Sequence, residues 1–483
     1  MSAMSGAATR NPSTIDRRCP KPDSIRAIAA EIRSSPMSHA PNSIEARDAA
    51  HHLHAYTDLE AYETRGGLVI ERGEGIYVYD NDGRKYLEGL AGLWSVAVGF
   101  SEERLADAAY KQMRKLPFYH TFSDKTNGPA AMLAEKLISL APVPMSKVHF
   151  TSSGSEANDV VAKMIWYRSN AMGRPAKKKI IGRIKGYHGV TIASGSITGI
   201  PRNHGSFDLP LDRMFHTACP DYRTGAQEGE TEADFVVRLA QELEDLILRE
   251  GPETVAAMYG EPVMGAGGVI VPPDGYWAAI QAVLRKYDVL LVADEVICGF
   301  GRTGNWFGST TYEMTPDVIT CSKALSSSYM PISAILVSEA FFRPIAEESH
   351  RLGVWGHGFT ASGHPVAAAV ALENLKIIEE MDLVGNVRRL APQFQARLAA
   401  LADHPAAIAS RGVGLIGALE LVPREKFGAA GAAGAAAALN AGLILRASGD
   451  AICFCPPLII TSEQIDEMFD LAHTALDAMM APA

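Results

Sequence analysis

The stretch Val289-Leu290-Leu291-Val292-Ala293-Asp294-Glu295-Val296 decides the fold. Five successive apolar residues cut off by two carboxylates read as a strand buried on both faces of a parallel sheet. In open α/β sheets ligands bind beyond the carboxyl ends of the strands, and Asp294 falls at such an end. A glycine-rich loop follows, Gly299-Phe300-Gly301-Arg302-Thr303-Gly304. A second β-prone run, Asp317-Val318-Ile319-Thr320-Cys321, then hands over to Ser322-Lys323. An acid and a lysine are thereby carried to one edge of one sheet.

A lysine desolvated at a strand end loses its preference for the charged form and becomes nucleophilic. A carboxylate beside a pyridine nitrogen keeps that nitrogen protonated and makes the ring an electron sink. Together the pair points to pyridoxal 5′-phosphate (PLP), with Lys323 as its Schiff-base lysine and Asp294 as the partner of the ring nitrogen. An ordinary strand end with a solvated lysine would use the same residues.

Asp294-Glu295-Val296, the loop Gly299–Gly304 and Ser322-Lys323-Ala324-Leu325 resemble the signature of the class III aminotransferases, the ω-transaminases. The resemblance runs from about His51 to the C-terminus, with separated motifs agreeing in order and spacing. It implies an α/β protein of PLP fold type I. A large domain with a central, mostly parallel seven-stranded sheet flanked by helices would span residues 92–355. A smaller α+β domain would combine residues 43–91 with 356–483, the latter including a connecting loop and helix. Residues 1–42, polar and rich in Ser, Ala, Pro and Arg, are expected to form a flexible leader.

A chain of 483 residues exceeds one hydrophobic core, so at least two domains are expected. The net charge of −10 argues against nucleic acid or anionic membranes as partners. No apolar run reaches the roughly 18 residues that span a bilayer. Six scattered cysteines show neither disulfide nor zinc spacing, which predicts a reducing, cytoplasmic setting.

Along the chain, His51-His52-Leu53-His54 invites a metal reading. The expectation is that no Cys or carboxylate partner lies at ligand spacing and that there is no metal site; the triplet reads as a helix start or a loop near a subunit interface. Alternation from Leu68 to Glu88 around Asp82-Gly83 predicts a hairpin. Val148-His149-Phe150 followed by Thr151-Ser152-Ser153-Gly154-Ser155 reads as strand, turn and helix start. Such a start serves equally as a plain N-cap or as an anion cup. Val255–Tyr259 presents Glu261 just past its tip, and Gly186-Tyr187-His188-Gly189 follows the run Ile180–Ile184. The Ala/Gly-rich run 428–438 reads as a close-packed helix or a flexible link.

The resemblance implies further roles. Ser153, Gly154 and Ser155 would hold the PLP phosphate. Tyr187 would stack on the ring, with Val296 on the opposite face and His188 and Glu261 in support. Met264 stands where many relatives carry Gln, which removes a polar contact expected there. Trp94, Phe118, Phe122 and Tyr187 would line the substrate pocket; the aromatics read equally as packing. Arg446, otherwise a surface arginine, resembles the mobile arginine that receives a substrate carboxylate. Phe359 and Thr360 would reach the phosphate of a neighbouring subunit, the alternative for Thr360 being an N-cap. The implied activity is ping-pong transfer of an amino group from a primary amine or ω-amino acid to an α-keto acid, pyruvate giving alanine. The expected assembly is a homodimer or tetramer sharing its active sites. Competing readings are an aminomutase or decarboxylase of the same fold, or a PLP-binding protein without turnover.

Overall fold

The computed structural model describes Ala40 and residues 42–481. Most of the expected leader therefore lies outside the described residues. The chain divides into two compact units, the first ending at Gly67 and the second beginning at Leu68. In the first, the helices Ile44–His51 and Leu59–Arg65 are capped by Ser43 and Asp58, whose side-chain oxygens accept the N–H groups of Ala46 and Ala61. These polar caps satisfy first-turn donors that have no intrahelical carbonyl. The histidine triplet thus closes a helix and enters a loop, where a helix start was one of the two expectations.

The second unit is built on a seven-stranded sheet. Its order is Lys147–Thr151, Ser333–Val337, Val318–Cys321, Leu290–Asp294, Val255–Gly260, Lys179–Arg183 and Met214–Thr217. Five strands, from Val318–Cys321 to Met214–Thr217, run parallel, and Ser333–Val337 is antiparallel to both its neighbours. Helices cover the faces, so the central strands are apolar throughout: Val255–Gly260 is buried at every position. The amphipathic helix Glu232–Glu250 buries Phe235, Leu239, Leu243 and Ile247 on one side. Each such side chain contributes about 1.5–3 kcal/mol on removal from water.

Two four-stranded sheets complete the unit. The Asp82-Gly83 turn joins Tyr77–Asp80 to Lys85–Glu88, as the alternation predicts, and Leu443–Ile444 adds parallel to the latter. The other sheet takes Ala407–Val413, Ile416–Leu421, Ala451–Phe454 and Arg446–Ser448 in order. Between Leu443–Ile444 and Arg446–Ser448 the chain changes sheets, at the buried Leu445. The Ala/Gly run is a helix, Ala429–Ala441. A Cβ on Gly431 would lie 2.2 Å from the Gly449 carbonyl oxygen, so glycine is what lets this helix approach the strand connection.

Candidate active site

Five segments deliver their ends to one cavity of about 130 Å³. Asp294 ends its strand, and in the adjacent parallel strand Thr320 is its register partner, three residues before Lys323. Tyr187 and His188 follow Lys179–Arg183, and Glu261 follows Val255–Gly260. Gly154, Ser155 and Asn158 come from the first turns of the helix Gly154–Ala171. All these residues, with Val296, Ile297 and Ser322, line the cavity.

Asp294 is 3% exposed and is held by three donors. The Asn158 side-chain amide and His188 Nδ1 each lie 2.8 Å from its Oδ2, and the Val296 N–H donates to its Oδ1 at 3.1 Å. Asn158 also donates to the His188 carbonyl, so one amide locks both partners. The carboxylate is fixed in direction as well as in place.

Burial pushes the Lys323 amine down to about 8, against the opposing pull of the Asp294 and Glu261 carboxylates; the Arg446 cation lowers it further. The residue also has φ +48°, a left-handed conformation that costs a side chain about 1–3 kcal/mol. The surroundings hold it there. The fully buried Asn374 donates to the carbonyls of Ala324 (2.8 Å) and Leu325 (3.1 Å). Its Oδ1 accepts from the Ser327 hydroxyl at 2.7 Å, and the Ser327 oxygen accepts the N–H of Ala97.

Sequence reasoning missed Asn374, Ser327 and Asn158. A lone asparagine in the apolar helix Pro365–Glu380 is the signal that was available for the first. Replacing Asn374 by alanine leaves two buried carbonyls and a hydroxyl unpaired, at about 1–3 kcal/mol for each such group. Asn374→Ala should therefore lower the thermal midpoint by several degrees and reduce turnover, both read on the cofactor-loaded protein. Unchanged melting and rate would remove the clamp role.

Not every motif residue faces the cavity. Glu295 is fully buried and accepts the N–H groups of Gly308 (2.9 Å) and Ser309 (2.5 Å) at the start of a short helix. Burial pushes its carboxyl up to about 7, opposed by those bonds. Arg302 donates to the carbonyls of Leu415 (3.0 Å) and Pro456 (2.6 Å), tying the glycine loop to the C-terminal segment. Glu261 lines the cavity but also holds backbone: its two oxygens accept the N–H groups of Tyr187 (3.1 Å) and Gly265 (3.0 Å). Met264 is fully buried and its sulfur lies 4.0 Å from that of Cys219.

The remaining residues singled out by sequence lie off the cavity lining. Ser153 is the N-cap of its helix, its hydroxyl accepting the Glu156 N–H at 3.2 Å. Trp94 is buried, has φ +64°, and packs in the cluster containing Leu90, Val263 and the cavity residue Ile297. Phe118 and Phe122 are about two-fifths exposed, beside the 358–364 loop: Phe118 meets His364 at 5.8 Å between rings, and Phe122 lies against Gly358. Phe359 is half-buried and Thr360 exposed. Arg446 opens its strand opposite Cys453 and is half-buried.

The cavity suits PLP. It offers an amine for an aldehyde, a buried carboxylate for a basic ring nitrogen, and hydroxyls with a helix N-terminus for a phosphate. Gly154 keeps the cradle open, since a Cβ there would already stand 3.1 Å from Val296 Cγ2. Residues 60–476 match the family model for aminotransferase class III. The tomato (Solanum lycopersicum) protein named gamma aminobutyrate transaminase 1, mitochondrial, is 51% identical over 417 residues, covering 85% of this chain and 81% of its own. A solved structure described as the omega transaminase from Pseudomonas jessenii in complex with PMP is 54% identical, with TM-score 0.90, over 90% of this chain and 98% of that one. Another, described as a transaminase with L-ala, is 61% identical with TM-score 0.85, over 85% and 99%. The fold and cavity are those of a fold type I PLP enzyme. The chain belongs to the class III aminotransferases, and it is a PLP-dependent aminotransferase.

Proposed function

We propose that the chain transfers an amino group from a primary amine or ω-amino acid to pyruvate, in two half-reactions that use one site in turn. The observation that carries this is the meeting of the Lys323 amine, the Asp294 carboxylate and the helix start at Gly154-Ser155 at one cavity. The relative named for gamma aminobutyrate supports an ω-amino acid donor. The 61% identical transaminase with L-ala supports alanine as the product on the acceptor side.

When bound, PLP supplies a protonated ring that withdraws the electrons of a breaking C–H bond. Lys323 anchors the cofactor through its ε-amine and moves the proton, a task suited to a group titrating near 8. Asp294, oriented by Asn158 and His188, would pair with the ring nitrogen. Ser153, Gly154, Ser155 and the helix N-terminus behind them would hold the phosphate. Tyr187, tethered through its N–H to Glu261, would cover one face of the ring and Val296 the other. Trp94, Phe118 and Phe122 supply the apolar wall for the amine. The smaller domain is assigned to residues 43–91 and 356–483, the larger to 92–355. The reducing setting is taken as cytoplasmic, on the strength of five free cysteines among the described residues. None of the helices among those residues is long and apolar enough to cross a membrane.

Arg446 receives the carboxylate of the acceptor, and its guanidinium can do so through two parallel hydrogen bonds. Losing a charge-assisted pair of about 1.5–3 kcal/mol corresponds to about 10–160-fold. Arg446→Ala should lower kcat/KM for pyruvate by that factor and leave the half-reaction with an amine lacking a carboxylate within about 3-fold, since that amine forms no such pair. Equal losses in both half-reactions would make the arginine structural and remove the acceptor assignment.

The working unit is proposed as a homodimer in which Phe359 and Thr360 of one chain complete the phosphate site of the other. Neither lines the cavity of its own chain, which favours action across subunits. Thr360→Asp should inactivate its own homodimer by repelling a dianion, and Lys323→Ala should inactivate its own by loss of the amine. A mixed dimer purified on two tags then regains one whole site, and with it about half the native activity per dimer if Thr360 acts across subunits. An assembled mixed dimer without activity would refute the shared site.

A further inference from the structure

The histidine triplet near the N-terminus takes no part in the reaction above, yet the fold gives it a carboxylate. Asp48 lies one helical turn before His52 and on the same helix face. His52 Nδ1 sits 2.9 Å from Asp48 Oδ1, and His54 Nε2 sits 2.7 Å from Asp48 Oδ2. One nitrogen from each ring and one carboxylate oxygen all lie within 4.8 Å of one another. The Tyr62 hydroxyl donates to Asp48 Oδ2, and the Tyr62 ring packs 4.0 Å from that of His54. Of this group, Asp48, His54 and Tyr62 are at most one-quarter exposed.

A second cluster of the same composition, His404, His473 and Asp477, separates a metal set from a hydrogen-bonded one. There the Ala406 N–H donates to His404 Nδ1 at 3.1 Å. That nitrogen must keep its lone pair, so Nε2 carries the ring proton and donates to Asp477. It has no lone pair for a cation. Neither His52 nor His54 has its outer nitrogen committed to a backbone N–H among the described residues. Each ring can carry its proton on that outer nitrogen and turn a lone pair inward. Neighbouring ligand atoms in a tetrahedral site stand about 3.4 Å apart, from metal–ligand bonds of about 2.0–2.2 Å. The 2.9 and 2.7 Å contacts run to Oδ1 and Oδ2 respectively, so a shared ion needs each pair to part slightly and the carboxylate to turn one oxygen towards both rings.

We propose that Asp48, His52 and His54 form a binding site for a borderline divalent transition metal of the zinc type, with Tyr62 as the residue that positions the carboxylate. Two imidazoles and one carboxylate suit Zn2+, Ni2+ or Cu2+ and disfavour Mg2+ and Ca2+, which take oxygen ligands. Three protein ligands leave a coordination position for water. The ion would pin the loop after the helix Ile44–His51 back onto that helix, and Tyr62 would link it to the helix Leu59–Arg65.

The test is calorimetric titration of tag-free, chelator-stripped, PLP-loaded full-length protein with Zn2+. The expected result is one saturable equivalent per chain. His52→Gln and His54→Gln should each weaken it by at least about 100-fold as ligands are lost, and Tyr62→Phe by about 10-fold. Exposed His52 makes the first variant safe for folding, and His473→Gln should change nothing. No saturable Zn2+ uptake, uptake lost in His473→Gln, or equal affinity for Mg2+ would each overturn the site.

Discussion

Replacing Lys323 by alanine should abolish amino transfer while leaving PLP bound. A positioned acid–base group alone contributes about 10²–10⁴-fold, and this amine also serves as the cofactor's covalent anchor, so the loss should reach or exceed the upper figure. Retention rests on groups the substitution does not touch: the Asp294 carboxylate, the Tyr187 and Val296 faces and the helix start at Gly154. Borohydride reduction and peptide mapping should find the cofactor on Lys323 in the native protein and on no lysine in the variant. A labelled lysine elsewhere would show that the anchor has been misassigned. The titration carries its own sign. Burial favours the neutral amine, so capture of an aldehyde by the cofactor-free native protein should rise with pH and level off above about 8. An ordinary lysine would keep rising to about 10.4. Plateauing only near the ordinary value would mean that the amine is solvated.

What the sequence made legible follows from burial. A strand covered on both faces is apolar almost throughout, so a charge at its end stands out, and Asp294 and Lys323 were visible for that reason. The phosphate-cup candidates stood out because glycine and serine before a helical pattern mark a helix start. The groups that hold those residues in place were not legible. Asn158 meets Asp294 across 136 residues, and Ser327 meets Ala97 across 230. No local period encodes such a pairing. Motif membership alone assigns no role: Glu295 and Arg302 belong to the same motifs as Asp294 but satisfy backbone groups of the framework. Asp48 was within reach, since its spacing from His52 is one helical turn. The expectation that no carboxylate stands at ligand spacing is wrong at this residue, because an i, i+4 pair shares one helix face. Phe118, Phe122 and Thr360 are exposed in the single chain, so neither its sequence nor its packing says what they face.

Asp294→Asn should be the other severe variant. The amide is nearly isosteric, so the strand end should survive, but the charge is gone and the acceptor pattern changes. An asparagine oxygen can still accept from His188 or Asn158, while its NH2 group presents donors towards the Val296 N–H, one of the native donors to this carboxylate. The buried mismatch should cost about 1–3 kcal/mol of stability. The catalytic loss should be larger, because a neutral side chain no longer keeps the ring nitrogen protonated. Losing a preorganised group that stabilises developing charge costs about 10²–10³ in kcat. The two effects separate experimentally. Asp294 also raises the titration of Lys323 against burial, so the pH at which aldehyde capture levels off should move below about 8 in the variant. A merely structural carboxylate would lower the melting temperature and leave kcat per bound cofactor close to native. If Asp294→Asn holds PLP fully and turns over within about 3-fold of the native rate, far short of that loss, the carboxylate is not the partner of the ring nitrogen. In that case the buried Glu261, the other carboxylate on the cavity, would have to be tested in that role.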